Sequence, residues 1–364
     1  MPFRNSIAMP NNYNSKSLDC QLSDAITWLR FPLILLIIML HCYSTVNLPG
    51  SHEAYFNTVY PFALWLGETG VPGFFVISGY LFFLSKKSYR QKISSRVHTL
   101  LIPYVLWNSL LLIFYLLALA LGHPQDINGK SIAAYTYIDY LRLFWDRGNS
   151  FDNGNFVPLL CPLWYIRNLL IVSFLSPFFY FIIRYAREAF LFIVTVWWLI
   201  TYHNAFIQQT ILFFSLGAYF SIHDINPLQK IHERKGIILF LFVFFFISDI
   251  VSHTIYITPV NLQIHRLALI LNIPALLLIA ENCVHHHVTN QMLPKAAFIV
   301  FCVHYPIVVV LRKFCVSYYS NAPSVNHILM YFACVIATVL LSIGIFLFLN
   351  NFFPNVKNVL SGNR

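Results

Sequence analysis

Again and again this chain runs for close to twenty residues with almost no charge, and that recurrence constrains its fold more than any single motif. An α-helix rises about 1.5 Å per residue, so about 20 mostly apolar residues cross the hydrocarbon of a bilayer. Runs of this kind lie at 24–45, 60–85, 98–122, 163–186, 188–202, 207–222, 237–253, 263–281, 296–314 and 329–353, the fifth and sixth being short. Inside lipid each backbone polar group must find its partner within the protein, and helices do this segment by segment. The expected fold is therefore all-α, a polytopic integral membrane helical bundle of about ten transmembrane helices. Composition agrees, since only 10% of the 364 residues are charged and 58% are hydrophobic, whereas soluble domains are about a quarter charged.

Lysine and arginine set the orientation. With the N-terminus inside, cytoplasmic segments collect 15 of them, notably Lys86, Lys87, Arg90, Lys92 and Arg96, together with Arg4, Lys16, Arg184, Arg187, Lys230, Arg234, Lys235, Lys295, Lys357 and Arg364. The other side collects 5 (Lys130, Arg142, Arg147, Arg312 and Lys313), and Arg30, Arg167 and Arg266 fall within spans. The positive-inside rule then places both termini in the cytoplasm. The expected organisation is a cytoplasmic tail at 1–23, one transmembrane domain at 24–353 with an extracytoplasmic loop at 123–162, and a second cytoplasmic tail at 354–364. The loop, polar and glycine-rich, suits a lid or part of an acceptor site as well as a plain connector. Because the basic residues sit in short loops between apolar runs, the net charge of +10 reads as topology and not as a nucleic-acid surface. Seven cysteines show no paired metal or redox spacing. The polar stretch 11–24 before the first span, with no small-residue cleavage site, argues against a cleaved signal peptide. No internal repeat is visible.

Several polar residues interrupt the apolar runs, where a charge costs about 2.5–3.5 kcal/mol at the bilayer centre. In LRFPLILLIIMLHCYS, Arg30 and His41 are 11 residues apart. At about 100° per residue they return to within about 20° of one face, about 16–17 Å apart along the axis. Snorkelling of Arg30 and an interfacial His41 is the plain account; a polar path through the protein is the functional one. The second span contains GETGVPGFFVISGYLFF, where Gly67, Gly70, Gly73 and Gly79 with Ser78 permit close helix approach and Pro72 interrupts the helix. Glu68 there has a depth comparable with His41. The basic stretch after it, with Arg90, Lys92 and Arg96, is either a topology anchor on anionic lipid or a seat for a phosphorylated molecule. In PLWYIRNLL, Trp164 and Tyr165 suit the outer interface and Arg167 follows inside. Arg266, Glu281 and His304 add further intramembrane groups, while the loop triplet His285, His286, His287 is incidental and no metal site is expected.

This combination resembles the membrane-bound acyltransferase 3 family: the Arg–x10–His first span, GVPGFFVISGYLFF, a basic linker ending in Arg96 before IPYVLW, PLWYIRNLL, and FIVFCVHYP in the ninth span. The similarity covers most of the chain and is closest to stand-alone bacterial members, without an appended esterase-like domain. The resemblance implies O-acylation of a cell-envelope glycan from cytoplasmic acyl-CoA, with acetyl-CoA the usual donor, and a multi-pass protein of the bacterial inner membrane. It maps the family's first-span histidine and arginine onto His41 and Arg30, and its basic linker onto 86–96. Arg96 matches the last arginine of that linker, whereas its partner position falls on either Arg90 or Lys92. Phe31 and Pro32 stand where a small residue often follows the arginine.

On that footing Arg30, Arg90, Lys92 and Arg96 are the expected coenzyme-binding residues, and His41, Glu68 and Arg167 the expected catalytic ones. His41 would act as general base on an acceptor hydroxyl or as a transient acyl carrier. Glu68 would orient that imidazole, and Arg167 would stabilise the oxyanion. The expected partners are acyl-CoA, a glycan or lipid-linked saccharide acceptor and the bilayer. A transporter or flippase is the rival class, but it should show an inverted repeat.

Overall fold

A computed structural model describes residues 12–43, 53–123, 125–127, 129–148, 156–202, 205–255, 260–319 and 324–363; Arg4, Arg364 and residues 149–155 of the long loop lie outside them. The chain is almost entirely helical. Helix α1 spans Asn12–Tyr43 and α2 spans Glu53–Tyr60. A wide π turn at Pro61–Leu66 and a tight 3-10 turn at Gly67–Thr69 join α2 to α3, Gly70–Leu84. The second span is thus wound three ways, and the change lies ahead of Pro72. Proline falls in the first turn of α3, where a missing N–H removes no helical bond. Local departures from α winding often bracket functional groups, and here the tight turn holds Glu68.

Ser88 caps α4, Tyr89–Arg96, through a capping box with Gln91. A π turn leads into α5, Ile102–Ala120. The loop that follows carries a two-residue hairpin, β1 (Asp126–Ile127) with β2 (Lys130–Ser131), and α6, Tyr137–Arg142. Its Ile127, Ile132, Leu143 and Leu159 bury against Leu111 and Tyr115 of α5, so the loop is a small folded cover and not a bare connector.

Next come α7 (Trp164–Phe174), α8 (Ser176–Ile200) and α9 (Ala205–Ile222). Within α8, Arg187 takes φ 48° and ψ −126°, which no helix accommodates. Before it, His223 bonds to the Ile183 carbonyl; after it, Glu188 accepts from Tyr219 and Trp198 packs on Phe213. The chain therefore descends beside α9 and returns along it. The remaining helices are α10 (Pro227–Glu233), α11 (Lys235–Thr254), α12 (Val260–His285), α13 (Met292–Tyr319), α14 (Ser324–Phe352) and α15 (Pro354–Ser361).

Eight helices among the described residues are long and apolar enough to cross a membrane, and up to nine crossings result if Cys161–Phe174 and Ser176–Ile200, bent by 70°, count as one span. The ten apolar runs of the sequence thus reduce to eight or nine crossings among the described residues, the short run 188–202 forming the arm of α8 beyond Arg187. The chain is a multi-pass membrane protein. Two expected tails are structured: residues from Asn12 onward already belong to α1, and α15 docks on the bundle, Trp107 Nε1 donating to the Leu360 carbonyl at 3.0 Å. The most extensive helix contact joins α3 to α9, where Gly79 and Gly217 let the backbones touch.

Candidate functional site

Helices α1 and α13 pack side by side, and each carries a cation followed further along by an imidazole. On α1 these are Arg30 and His41; on α13 they are Lys295 and His304, with Phe298 and Phe301 between them. The imidazoles meet: the ring centroids of His41 and His304 are 5.3 Å apart, and Tyr305 sets its ring edge-on to His41 at 5.1 Å. The cations meet as well. Arg30, Arg96 and Lys295 all line one cavity of about 1070 Å³, together with Ile34, Tyr165, Phe298 and Phe301. Asp24 is the one carboxylate on its wall, and none of the three cations has an ion-pair partner among the described residues. Phe301, on the cavity wall, rests against the His304 ring, centroids 5.9 Å apart. The cavity thus leads from three cations to a wall with the histidine pair behind it.

The basic linker separates into two faces. Lys92 lies four residues before Arg96, one helical turn, and both stand over the Phe82 ring at 5.1 and 5.5 Å. Arg90 faces a different hollow, with Lys87, Ser94 and His98. Tyr165, expected at the outer interface, is instead buried: it lines the cavity, and its hydroxyl shares a 3.1 Å hydrogen bond with Ser78. Trp164 is buried too, stacked on Phe206 at 3.9 Å. A hydroxyl or indole can sit in the protein interior as readily as at the headgroups, and sequence alone does not separate the two.

Glu68 and Arg167 have other partners. Glu68 accepts from His265 Nε2 at 3.1 Å; His265 Nδ1 reaches Asp249 at 2.8 Å, and the Tyr60 hydroxyl donates to Asp249 at 3.0 Å. No hydrogen bond joins Glu68 to His41 among the described residues, although Gly67 beside it packs on Leu40. Arg167 donates to the carbonyls of Trp145 at 2.6 Å and Phe156 at 2.9 Å, and twice to Asn168 Oδ1. Its guanidinium lies 4.9 Å from the Trp145 ring, so it clamps the folded cover onto α7. Arg266 similarly satisfies the end of α8 through the carbonyls of Trp198 and Thr201.

Sequence reading missed Asp249 and His265. A lone acid in the apolar run of α11 was the available signal; its pairing with residues on two other spans was not. No group of three or more His, Cys, Asp or Glu residues that could hold a metal occurs among the described residues.

The chain matches a family model described as an acyltransferase domain, of acyltransferase type 3, over residues 23–347. It belongs to the acyltransferase 3 family. The acyltransferase is 26% identical over 326 residues to the succinoglycan biosynthesis protein ExoH of Rhizobium meliloti (strain 1021), covering 83% of this chain and 82% of that protein. No solved structure matches. The family makes the protein a membrane O-acyltransferase, and the transporter reading falls away.

Proposed function

We propose that this acyltransferase moves a short acyl group, acetyl or a close homologue, from cytoplasmic acyl-CoA to a hydroxyl of a cell-envelope polysaccharide or its precursor, in the bacterial inner membrane. The observation that carries the reading is the shared course of α1 and α13, from unpaired cations around one cavity to paired imidazoles beyond it. Cations without carboxylate partners fit an anionic ligand, and arginine binds phosphate through paired N–H donors. The N-terminal turns of α13, around Asn290, Gln291 and Lys295, also line the cavity and add partial positive charge. The similarity to a succinoglycan biosynthesis protein supports a polysaccharide acceptor.

In this reading the coenzyme phosphates sit among Arg30, Arg96 and Lys295, with Lys92 beside Arg96 on Phe82. The pantetheine arm runs past Ile34 and Phe298 toward His41. His41 takes the proton of the acceptor hydroxyl as its oxygen attacks the thioester carbonyl. The new C–O bond forms, the C–S bond breaks, and the imidazolium returns the proton to the departing thiolate, leaving ester and free coenzyme A thiol. Arg167 acts by holding the cover in place; Glu68 acts within its own cluster with His265 and Asp249.

Membranes carrying wild type, His41→Ala, Arg96→Ala or Arg90→Ala, given acyl-labelled acetyl-CoA, test this. Loss of transfer in His41→Ala is expected. Arg96→Ala should raise the KM for acetyl-CoA about tenfold or more, the worth of one charge-assisted hydrogen bond, with Arg90→Ala near wild type. Undiminished transfer in His41→Ala, or equal effects of the two arginine variants, would overturn the assignment.

A further inference from the structure

His304 is wholly buried, and its two ring nitrogens are used differently. Nδ1 lies 2.7 Å from the Phe301 carbonyl oxygen. A carbonyl only accepts, so Nδ1 carries the proton and donates it. Nε2 is then an acceptor, and it is buried with no hydrogen-bond partner among the described residues. A buried polar atom left unsatisfied costs about 1–3 kcal/mol, so an orphan here needs a reason. The neighbouring ring that can supply a donor is His41. Two imidazoles joined by an N–H···N bond of about 3 Å, with each nitrogen about 1.1 Å from its ring centre, have centroids about 5.2 Å apart. The observed separation is 5.3 Å with the planes tilted by 35°. The spacing therefore admits a bonded pair, which a turn of the His41 ring would complete.

Building on the reaction proposed above, we infer that His304 is the positioning residue of His41: Phe301 carbonyl fixes the His304 tautomer, and Nε2 of His304 accepts the N–H of His41. This chain sets the His41 tautomer, so that its other nitrogen presents a lone pair to the acceptor hydroxyl. The tautomer of a histidine is set by the bond its far nitrogen makes, and a base oriented by a third group is the general pattern of activated catalytic pairs. The role differs from that of a carboxylate. A neutral imidazole orients the base without neutralising the imidazolium, which suits a site that must return its proton to a thiolate within the same turnover. Pro306, two residues on, lies inside α13 and has no N–H of its own.

Three variants separate the two nitrogens. His304→Gln places a carbonyl oxygen near the position of Nε2 and keeps an acceptor for His41. His304→Asn keeps a donor near Nδ1 for the Phe301 carbonyl but removes the Nε2 acceptor, and His304→Leu removes both. With acetyl-CoA and envelope glycan, His304→Asn and His304→Leu should lower kcat about 10²-fold, with KM for acetyl-CoA unchanged, whereas His304→Gln should retain a tenth or more of wild-type kcat. A merely structural histidine would rank the variants differently: Asn, which keeps the observed Phe301 bond, would outperform Gln. That ranking, or full activity in His304→Leu, would overturn the inference. Should His304→Leu fail to accumulate, the Asn-versus-Gln comparison still decides. His41→Ala run alongside distinguishes the two proposals, since an active His41→Ala refutes the reaction itself while an inactive one beside an active His304→Leu refutes only the pairing.

Discussion

The crossing of α3 and α9 makes a sharp quantitative demand. A Cβ placed on Gly217 would lie 1.9 Å from the Val76 carbonyl oxygen, and one on Gly79 would lie 2.1 Å from the Phe214 carbonyl oxygen. Carbon–oxygen contacts settle near 3.3–3.6 Å, so each alanine is short of room by about 1.2–1.7 Å. Neither obstacle can swing aside, because both are backbone carbonyls within helices. The helices must part, and overpacking of this kind costs about 1–3 kcal/mol per site. Gly79→Ala and Gly217→Ala, purified in detergent, should each melt at least about 2 °C below wild type. One separation relieves both contacts, so the double variant should fall short of the sum by about 0.5 kcal/mol or more. Gly344→Ala in α14, where nothing lies within 4 Å of the added carbon, should match or exceed wild type. Because Ser78 and Leu81 of α3 line the cavity, the two destabilised variants should also show a raised KM for acetyl-CoA. Single variants that melt like Gly344→Ala, or strictly additive losses, would refute the crossing.

Further outcomes follow from the same contacts. Arg167→Lys keeps the charge but cannot reproduce the bonds to Trp145, Phe156 and Asn168; hydrogen exchange of residues 143–148 and 156–160 should quicken, and unchanged protection would count against the clamp. Cys315 and Cys334 hold their sulfurs 3.4 Å apart on α13 and α14, so mild oxidation with copper phenanthroline should join them, read by mass spectrometry and abolished in Cys315→Ser. In the cover, Lys130 and the Thr136 amide and hydroxyl hold the Asp139 carboxyl well below the usual carboxylate range. A depressed value means support that is fully present above the unfolded value of about 3.9 and lost as pH falls below it. Amide exchange at Tyr137–Arg142, corrected for intrinsic rate, should rise below about pH 4 and stay flat from pH 5 to 8. Asp139→Asn should abolish that step.

The spans were legible because hydropathy reports depth, and depth is what a bilayer selects. Which face of each span meets protein was mostly not legible. Lipid tails and neighbouring helices are equally apolar, so no amphipathic stripe marks the packed side. Only polar residues betray the interior, and on α1 they did: Arg30 and His41 share a face, and that face meets the cavity at one end and His304 at the other. Across helices the signal ends. His304 is visible in the sequence as an intramembrane histidine, but nothing there ties it to His41, 263 residues earlier. Glu68 likewise reads as a neighbour of His41 by depth, while its hydrogen bond goes around the bundle to His265. Helical phase within α4, which the register could have supplied, separates Arg90 from Lys92: Lys92 is one turn from Arg96 and shares the Phe82 ring with it, while Arg90 faces another hollow.

The same physics that hides the packing explains why the cations are informative. A charge near the bilayer centre costs about 2.5–3.5 kcal/mol even on the most lenient scales, and a stable helix avoids it or pairs it. This bundle shows how pairing is done when it is structural: Arg167 and Arg266 spend their donors on backbone carbonyls and stack on Trp145 and Trp198. Arg30, Arg96 and Lys295 are treated otherwise. They are gathered from three separate helical segments around one cavity, with Asp24 the sole carboxylate on its wall and no carbonyl engaged among the described contacts. Three cations without such partners around one cavity are what the proposed seat for an anionic ligand rests on. At the far end His304 holds an acceptor nitrogen without a donor among the described residues, the place that the inferred bond from His41 fills. In the reaction proposed above, the cation end takes the coenzyme phosphates, while at the imidazole end His41 donates to His304 and turns its other nitrogen to the acceptor hydroxyl.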